Sequence, residues 1–567
     1  MKKRLFLSLI VIITSVQLNA QEPTALWGKA VQGTGVSMGS DIVMTSDGNI
    51  VIAGDAGTKT ADDVILFGND AIAAPATAYK GNGDNSNGNL VITKVSQDGT
   101  PQWTVFSKYG EATSGKTFLQ PVSDGIIAFV AIRHAQKYGA SSVTLFDAAL
   151  QETSLNWTLP GGDEDTKRYY IGLIIKISQN GTIQWLRTIK PTDTANTEAF
   201  TPSGIVADQS GNLWIGGTLK KEISLQKTGG DEVKVAPQTG SDDLLLVQLS
   251  ADGYYQQHAL MEGAQKASIL DMSYADGKLY ISGMITGTAG SPVTLKGKSF
   301  TMENAFTTLY VAALNSDLTA DFFQPFTAQD KNFTANIANL YVGSNHVWVL
   351  GKVAGNIKTA GDKLLSSENW TRVGMLLKVD KTTGSLLDGY VLGYGEQGVG
   401  TNQGGFFAAF EDTNGALYAA EHRLNDRMSI HQFSQDNLSA PVTSWDKMIS
   451  YTGNVHDLVY TADGKLFTLT RSKKDETSPN LLYGGTVSVV QSSTAFCCNL
   501  CAFQLPVTPV TGIQTLKQER PADGGIYYNL SGQRVEHPTK GLYIHNGRVV
   551  MKKKEPWKWR LPGFMFT

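Results

Sequence analysis

Two short stretches of the sequence match motifs that carry chemistry in other proteins. Gly110–Thr117 satisfies the P-loop pattern, and Gly35–Gly39 satisfies the Gly-x-Ser-x-Gly pattern of a nucleophile elbow. A P-loop needs a strand before it and a helix after it, and a nucleophile elbow needs a strand-to-helix turn. The residues after Thr117 read as a strand that enters a turn, and Gly35–Gly39 reads as a linker. We therefore predict neither nucleotide binding nor hydrolase chemistry at these stretches.

Residues that bind metal ions are sparse and poorly spaced. Asn82–Gly88 places side-chain oxygens on alternate residues, as a Ca²⁺ loop does, but it lacks a second carboxylate and a bidentate Glu. The acidic runs Asp62-Asp63 and Asp163-Glu164-Asp165 are typical of solvated surface. The sequence thus predicts no catalytic residue, no metal site and no cofactor.

The cysteines are confined to one stretch, as Cys497, Cys498 and Cys501. An export route would oxidise them, and an odd number leaves one thiol free or paired with another chain. Tetrahedral zinc needs four ligands, and no His lies nearby in the sequence. The pattern favours one local disulfide, with a metal site as the alternative.

Two tripeptides with the same sequence lie in segments that read as loops. They are Asn156-Trp157-Thr158 and Asn369-Trp370-Thr371. An exposed Trp flanked by amide and hydroxyl groups is suited to stacking on a sugar ring. Trp157 and Trp370 are therefore the candidate ligand-binding residues. In the alternative interpretation, each Trp holds its own loop against the sheet below.

The N-terminus has the pattern of a secretory signal peptide. Lys2-Lys3-Arg4 precedes the apolar run Leu5–Ile13, and Leu18-Asn19-Ala20 ends in a small residue. We expect cleavage after Ala20 and a secreted or outer-surface location. A retained anchor is the alternative, but the run is short for a membrane span, and no later stretch is long and apolar enough for one. A net charge of −3 provides no general attraction for nucleic acid.

A hairpin-like stretch recurs along the chain. Leu90–Phe106 reads as two strands joined at Asp98-Gly99, and Gly172–Ile189 repeats it around Asn180-Gly181. Turns of a second kind, such as Asp47-Gly48, alternate with these, and such pairs tolerate the positive φ that tight hairpins require. Four strands in each period of roughly 50–85 residues is the pattern of a β-propeller blade.

The number of turns and one unpaired segment predict how the array closes. Seven turns of the second kind indicate seven blades. The last repeat lacks a fourth strand after Thr486–Val490, and Leu26–Val31 supplies it if the chain closes into a ring. Trp103 and Trp185 occupy a repeat position, which predicts core packing. The sequence therefore predicts an all-β, seven-bladed β-propeller closed by an N-terminal strand, with a small C-terminal β segment.

Two resemblances accompany this interpretation. The recurring Leu-x-x-Lys-Val-Ser-x-Asp-Gly-x-x-x-Trp resembles the β-propeller repeats of exported bacterial proteins, and it implies a fold and a surface location but no reaction. Gly525–Val535 and Gly541–Val550 read as two or three strands. They resemble the C-terminal segment of proteins exported by type IX secretion, which implies a sorting signal read by the export machinery. A small β addition without that role is the alternative.

These interpretations divide the chain into five parts. They are a signal peptide (1–20), a β-propeller (21–504), a linker (505–524), a sorting-like β segment (525–554) and a tail (555–567).

The long insertions all follow the second strand of a repeat, and several contain a short extended piece that predicts a packed hairpin. They are Asp55–Asn89, His134–Tyr170, Thr218–Asp243, Met284–Thr308 and Lys352–Val373. Loops on a rigid scaffold commonly carry binding sites, so the face with these insertions is the predicted functional face.

The function predicted from these features is non-catalytic binding. We expect an exported monomer that binds a glycan, peptide or protein partner. One alternative is a glycan lyase or hydrolase with an axial pocket, which requires titratable groups within mutual reach. The other alternative is a structural or adhesion component of the cell surface.

Overall fold

The computed structural model describes most of the chain. The described residues are 22–60, 62–75, 88–133, 142–156, 170–192, 198–238, 242–327, 329, 334–366, 373–392, 405–423, 427–446, 448–449, 454–473, 480–491, 496–506, 527–528, 534–535, 541–545 and 548–552. The chain forms two compact units, Met1–Val507 and Thr508–Thr567. The regular structure in the described residues is all β, and none of them forms a helix that could cross a membrane.

The first unit consists of strands that are mostly short. In chain order they are Thr24–Gln32 (β1), Ser37–Met44 (β2), Ile50–Ala56 (β3), Ile65–Phe67 (β4), Asp70–Ala73 (β5), Gly88–Val95 (β6), Pro101–Val122 (β7), Gly125–Arg133 (β8), Ser142–Phe146 (β9), Glu152–Asn156 (β10), Ile171–Ser178 (β11), Ile183–Pro191 (β12), Phe200–Ala207 (β13), Leu213–Leu219 (β14), Ile223–Gln226 (β15), Glu232–Val235 (β16), Asp243–Leu249 (β17), Tyr255–Leu260 (β18), Lys266–Ala275 (β19), Lys278–Thr286 (β20), Pro292–Leu295 (β21), Lys298–Thr301 (β22), Thr308–Leu314 (β23), Ala320–Phe326 (β24), Thr334–Val342 (β25), His346–Ala354 (β26), Asn356–Lys358 (β27), Leu364–Ser366 (β28), Val373–Asp380 (β29), Leu386–Val391 (β30), Gly405–Glu411 (β31), Leu417–Arg423 (β32), Arg427–Phe433 (β33), Thr443–Trp445 (β34), Asn454–Tyr460 (β35), Lys465–Lys473 (β36), Val489–Val490 (β37) and Phe496–Gln504 (β38).

These strands form antiparallel sheets of a repeated design, in which four strands are hydrogen-bonded side by side. We name them sheet A (β2-β3-β6-β7), sheet B (β7-β8-β11-β12), sheet C (β13-β14-β17-β18), sheet D (β19-β20-β23-β24), sheet E (β25-β26-β29-β30), sheet F (β31-β32-β33-β34) and sheet G (β35-β36-β38-β1). The long strand β7 belongs to two sheets, because its first part pairs with β6 and its last part pairs with β8. The second and third strands are buried almost throughout, as expected for strands covered on both faces.

The tight turns have the predicted geometry. Gly48, Gly99 and Gly181 have φ values of 77°, 84° and 82°, a region that favours glycine. The P-loop-like stretch Gly110–Thr117 lies wholly within strand β7, and Ser37 begins strand β2. Neither stretch leads into a helix, which confirms that these motif matches lack the context their chemistry requires.

The insertions form hairpins, several of which are hydrogen-bonded to the sheet that comes before their own. The hairpins β4-β5, β9-β10, β15-β16, β21-β22 and β27-β28 all lie between a second and a third strand. Strand β4 pairs with β1, β9 with β7 and β15 with β12, each of these partners being a fourth strand of the preceding sheet. Glu262, just after β18, likewise bridges to Thr294 in β21. The described parts of these insertions therefore help to hold neighbouring sheets together.

The N-terminal strand β1 completes sheet G, but with a different main partner from the predicted one. It pairs antiparallel with β38 along Thr24–Val31, and only Gly28 and Lys29 pair with Val489 and Val490 of β37, in parallel. The third strand of this sheet is thus the cysteine-containing stretch Phe496–Gln504 instead of Thr486–Val490. This strand was not predicted because three close cysteines suggested a cross-linked cluster, whereas a buried Cys packs as a small apolar residue.

The three cysteines are buried and no disulfide joins them, so the predicted local disulfide is wrong. Cys497, Cys498 and Cys501 point into the packed interior of sheet G and its neighbours, at exposures of 0%, 4% and 0%. Burial raises the pKa of Cys497 to about 12, although a hydrogen bond from Gln491 opposes the shift, and it raises the pKa of the other two thiols as well. These thiols are therefore protonated and serve packing.

The repeated tryptophan contacts the next sheet and is only partly buried. Trp27 and Trp103 donate from Nε1 to the carbonyl oxygens of Gln97 and Gln179, both at 2.9 Å. A Cβ added at Gly181 would lie 2.8 Å from the Trp103 ring, so the glycine lets the turn approach the indole closely. Trp185 is also partly exposed. The prediction that Trp103 and Trp185 pack in the core is thus confirmed in part: both pack against buried core residues, but each stays partly exposed beside a turn of the neighbouring sheet.

We expect Trp103→Ala to lower the free energy of unfolding by about 3 kcal/mol, because it removes a large packed ring together with its hydrogen bond. Trp103→Phe, which keeps an aromatic ring but loses the donor, should cost only about 1 kcal/mol. Urea titrations of the two variants measure both values. Val442→Ala, at a position 64% exposed, is the control. Equal losses for the two Trp103 variants would contradict the proposed division between packing and hydrogen bonding.

The second unit contains a small sheet of its own. Its strands are Tyr527–Tyr528 (β39), Arg534–Val535 (β40), Gly541–His545 (β41) and Arg548–Lys552 (β42), in the order β40-β39-β41-β42. All the pairings are antiparallel. The sequence predicted two or three strands here, and the described residues of this unit form four short ones.

Candidate functional site: a channel lined by the first strands

A channel of about 760 Å³ runs between the first strands of sheets A to G. Strands β2, β13, β19, β25, β31 and β35 and the last part of β7 all contribute side chains to its wall. Each of these strands contacts the first strand of the next sheet, and β35 contacts β2. The channel therefore collects residues that are far apart in the sequence at one place.

A β-bulge recurs in these first strands and sets which side chains reach the channel. The register shifts between Gly39 and Asp41, between Ile269 and Asp271, and between Val455 and Asp457. Similar shifts occur in β13, β25 and β31. A bulge inserts one unpaired residue and redirects the side chains that follow it. Asp41, Asp271 and Asp457 consequently occupy equivalent positions, all lining the channel.

Two of these aspartates bridge adjacent sheets. Asp41 accepts from the backbone amide of Ile42 at 2.8 Å and from that of Leu119, on β7, at 2.6 Å. Asp271 accepts from Met272 at 2.7 Å and from Leu340, on β25, at 2.6 Å. These carboxyl oxygens are therefore engaged in joining one first strand to the next.

The third aspartate shares a proton with the first. Asp457 accepts from the Leu458 amide at 2.7 Å, and its carboxyl group is hydrogen-bonded to that of Asp41. Two carboxylates in contact cannot both ionise without strong repulsion, so one of them retains a proton. The pair is thus an acid–carboxylate hydrogen bond between β35 and β2.

The environment makes all three carboxyl groups weak acids. Burial raises the pKa of Asp41 to about 6 and that of Asp271 to about 7, even though backbone amides donate to both and oppose the shift. Burial, and next the charge of Asp41, raise the pKa of Asp457 well above its usual range. The channel wall therefore holds protons at a pH at which ordinary aspartates have lost them.

Aromatic and hydroxyl groups line the end of the channel nearest the tight turns. Tyr274, Tyr341 and Tyr460 lie near the ends of their first strands, next to the turns that lead to the second strands. The Tyr341 hydroxyl oxygen accepts from the Glu411 amide at 2.9 Å, and the Tyr460 ring stacks on Phe410 with centroids 4.3 Å apart. This end offers aromatic faces with polar edges, which suits a ligand that has both apolar faces and hydroxyl groups.

Two further polar atoms in the channel wall have no hydrogen-bond partner among the described residues. They are Ser40 Oγ and His456 Nε2. Burial, followed by the charges of Arg471 and His422, lowers the pKa of His456 to about 4. His456 is therefore neutral near pH 7, and its Nε2 is buried within the wall of the channel.

The residues predicted to bind a ligand or a metal ion are in other parts of the sequence from those that line the channel. Trp157 and Trp370 lie outside the described residues, as do Asn82–Asn87 of the Ca²⁺-like loop. In the described part of the chain, no group of three or more His, Cys, Asp or Glu side chains is arranged to hold a metal ion.

Sequence reasoning missed the three aspartates of the channel. Each is followed by an apolar residue (Ile42, Met272 or Leu458) and stands five or six residues before an Asp-Gly turn, at Asp47, Asp276 or Asp463. This spacing was visible in the sequence. An isolated Asp in a strand does not, however, reveal that a bulge will turn it towards a shared channel.

Comparisons with known proteins give a limited result. No family model and no curated protein matches the chain. Among solved structures, quinohemoprotein alcohol dehydrogenase from Comamonas testosteroni matches at 11% identity, over 86% of this chain and 78% of that one, with a TM-score of 0.36. Phage phi92 endosialidase matches at 9% identity, over 78% of each chain, with a TM-score of 0.28. A protein of unknown function from Bacteroides caccae matches at 11% identity, over 56% of this chain and 88% of that one, also with a TM-score of 0.28.

These likenesses carry no argument about activity. The strand pairing in the chain itself defines the class: this is an all-β protein with a β-propeller-like arrangement, in which repeated antiparallel sheets contribute their first strands to one channel.

Proposed function

We propose that the first unit is a seven-bladed β-propeller closed by strand β1, and that it acts by binding a ligand without converting it. The contacts between successive first strands, with β35 against β2, support the ring. The pairing of β1 with β38 supports its closure. Closure of this kind leaves no free sheet edge at the junction between the two ends of the array.

The hydrogen bonding of the channel carboxyl groups carries the proposal that binding is non-catalytic. Asp41 and Asp271 each use both oxygens to accept amides of the scaffold, and Asp457 uses one oxygen in the same way. Carboxyl groups that accept these amides connect neighbouring sheets. The surface left for a ligand is the aromatic and hydroxyl lining that includes Tyr274 and Tyr460.

The size of the channel narrows the ligand class. A volume of about 760 Å³ lies in the range of small-molecule sites and is too small for a folded protein. A glycan chain or an extended peptide therefore fits best as the direct ligand. Trp157 and Trp370 remain proposed contacts at the insertion-bearing face, where a protein partner is the other candidate.

We also propose that the protein is exported. The basic and apolar pattern of residues 1–20 supports a signal peptide cleaved after Ala20. The proposed parts that follow the propeller are a linker (505–524), a sorting-like segment (525–554) and a tail (555–567). The repeat resemblance and the C-terminal resemblance to type IX secretion signals support a secreted or outer-surface location, with the export machinery as a partner and a monomer as the working form.

One observation favours a second candidate function. The hydrogen-bonded carboxyl groups of Asp41 and Asp457 have raised pKa values, as the acid–base groups of glycan-cleaving enzymes do. A glycan lyase or hydrolase with its acid in the channel is therefore the alternative, and release of shortened product from a bound glycan would identify it.

Glycan-array and peptide-array binding tests the proposal. For a ligand that the array identifies, we expect Tyr274→Ala combined with Tyr460→Ala to weaken binding by about tenfold or more, as loss of two stacking faces predicts. Binding by the double variant Trp157→Ala and Trp370→Ala tests whether the insertion-bearing face contacts the ligand. Chromatography of the ligand after incubation should recover it unchanged. Full affinity in the double-tyrosine variant would remove the channel from the proposal, and a shortened glycan would establish the enzyme alternative.

A further inference from the structure

Sheet F carries a line of three side chains that the channel does not use. His431 Nε2 lies 2.7 Å from Glu421 Oε2, and His431 Nδ1 lies 2.8 Å from Ser444 Oγ. The residues come from the adjacent strands β32, β33 and β34. Ser444 stands directly opposite His431 in the pairing of β33 with β34, and Glu421 is two residues from Ala419, which also pairs with His431. All three side chains therefore project from the same face of the sheet.

Burial is graded along this line. Glu421 is 0% exposed and His431 is 1% exposed, whereas Ser444 is exposed at the edge of the sheet. The rings of Phe406 and Phe433 lie beside the imidazole, with centroids at 5.9 and 6.2 Å. The acid and the base are thus shielded from water, while the hydroxyl group can meet a reagent from solution.

The hydrogen bonds fix the roles of the two ring nitrogens. An ionised carboxylate only accepts, so Nε2 of His431 donates to Glu421. In the neutral imidazole, Nδ1 then carries the lone pair, and the Ser444 hydroxyl donates to it. A serine whose hydroxyl donates to an imidazole, itself oriented by a carboxylate, has the arrangement of an activated nucleophile.

We propose that Ser444, His431 and Glu421 form a nucleophilic site that reacts with esters and related acyl or phosphonyl compounds. In the first step Ser444 Oγ bonds to the acyl carbon, and its proton passes to His431 Nδ1. The bond to the leaving alcohol then breaks, and that proton passes from Nδ1 to the alcohol oxygen. Water then attacks the acyl carbon and gives a proton to His431 Nδ1. The bond to Ser444 Oγ breaks, the proton returns to that oxygen, and the carboxylic acid is released. The site lies at the outer edge of sheet F and is independent of the function proposed for the channel.

A fluorophosphonate probe tests the proposal on the full-length folded chain. Ser444 Oγ bonds to phosphorus as fluoride leaves, and peptide mass spectrometry locates the adduct. We expect one labelled site at Ser444, absent in Ser444→Ala. Glu421→Gln, which keeps the volume but removes the charge, should slow labelling by about 100-fold, the scale of losing an oriented base. Ser439→Ala is the matched control, because Ser439 is also exposed near the end of β33 and contacts no imidazole in the described part of the chain, so its loss should leave the rate unchanged.

If the three side chains only stabilise sheet F, a different result is expected. Ser444 would then label no faster than other serines, or at the same rate in the wild type and in Glu421→Gln. Either result overturns the proposal. Circular dichroism of each variant shows whether it is folded, and hydrolysis of p-nitrophenyl acetate by the wild type and by Ser444→Ala is the second measurement. Equal hydrolysis by folded wild type and folded Ser444→Ala also overturns the proposal.

Discussion

Asp457→Asn will stabilise the protein above neutral pH, by about 2 kcal/mol at pH 8. The side-chain amide that this substitution introduces can donate to Asp41, as the protonated Asp457 does, while its oxygen still accepts from the Leu458 amide. In the variant, the hydrogen bond to Asp41 therefore no longer depends on Asp457 keeping its proton. Urea unfolding of the wild type and the variant at pH 4.5, 6 and 8 measures the effect.

The pH dependence follows from the direction of the pKa shifts. Burial raises the pKa of Asp41 to about 6 and that of Asp457 well above its usual range, whereas an unfolded aspartate has a pKa of about 4. Between these values the folded chain binds more protons than the unfolded chain, so the contribution of the pair is greatest below about pH 4 and is lost as the pH rises through the folded pKa values. The advantage of Asp457→Asn should therefore be small at pH 4.5 and largest at pH 8.

The equivalent substitution at Asp41 should destabilise the protein instead of stabilising it. Asp41 accepts from two backbone amides, and an asparagine side chain there would turn its amide hydrogens towards one of these donors. Asp41→Asn should cost about 2–3 kcal/mol at every pH, because it leaves a buried donor without an acceptor. Asp436→Asn, at an exposed turn, is the control for charge alone. Equal destabilisation by Asp41→Asn and Asp457→Asn at pH 8 would show that the pair holds no shared proton.

Gly283→Ala will cost about 3–4 kcal/mol, a loss typical of forcing atoms into a packed interior. A Cβ at this position would lie 1.9 Å from the Ser268 carbonyl oxygen and 2.6 Å from Tyr310 Oη. That carbonyl also accepts the hydrogen bond of the buried Tyr310 hydroxyl, at 2.9 Å, so the neighbour cannot simply move away. Thermal and urea unfolding of the variant measure the loss.

The position recurs, which provides both a replicate and a control. Gly54 and Gly217 lie within the second strands of sheets A and C, and an added Cβ would lie 2.1 and 2.2 Å from a first-strand carbonyl oxygen. Alanine at either should reproduce the loss. Gly361→Ala, whose nearest contact would be 4.0 Å away, should change stability by no more than about 0.5 kcal/mol. If Gly283→Ala lowered the free energy of unfolding only slightly, the first strand would be able to shift. The backbone around the bulge would then be more flexible than its recurrence indicates.

Local patterns in the sequence were enough to predict the strands and turns. The Asp-Gly and Asn-Gly pairs marked the turns because glycine tolerates positive φ, and apolar runs such as Leu244–Val247 marked strands covered on both faces. The extended pieces within the insertions were recognised as hairpins for the same reason.

Pairing between distant segments was harder to predict. The strand Phe496–Gln504 was misread because three cysteines suggested a cross-link, although their burial next to β1 makes them apolar packing residues. Trp103 was assigned to the core because its recurrence does not distinguish the interior of a sheet from the contact between two sheets. Both cases concern partners that lie far away in the chain.

The sequence by itself determined the repeat, its strands and its turns, because these depend on residues a few positions apart. Only the tertiary structure decided which side chains meet. Asp41 and Asp457 are separated by more than four hundred residues, and they share a proton because bulges turn both towards one channel. Glu421, His431 and Ser444 come together because strand register places them on one face of sheet F. Register and bulges arise from the packing of whole sheets, which no short stretch of the sequence encodes.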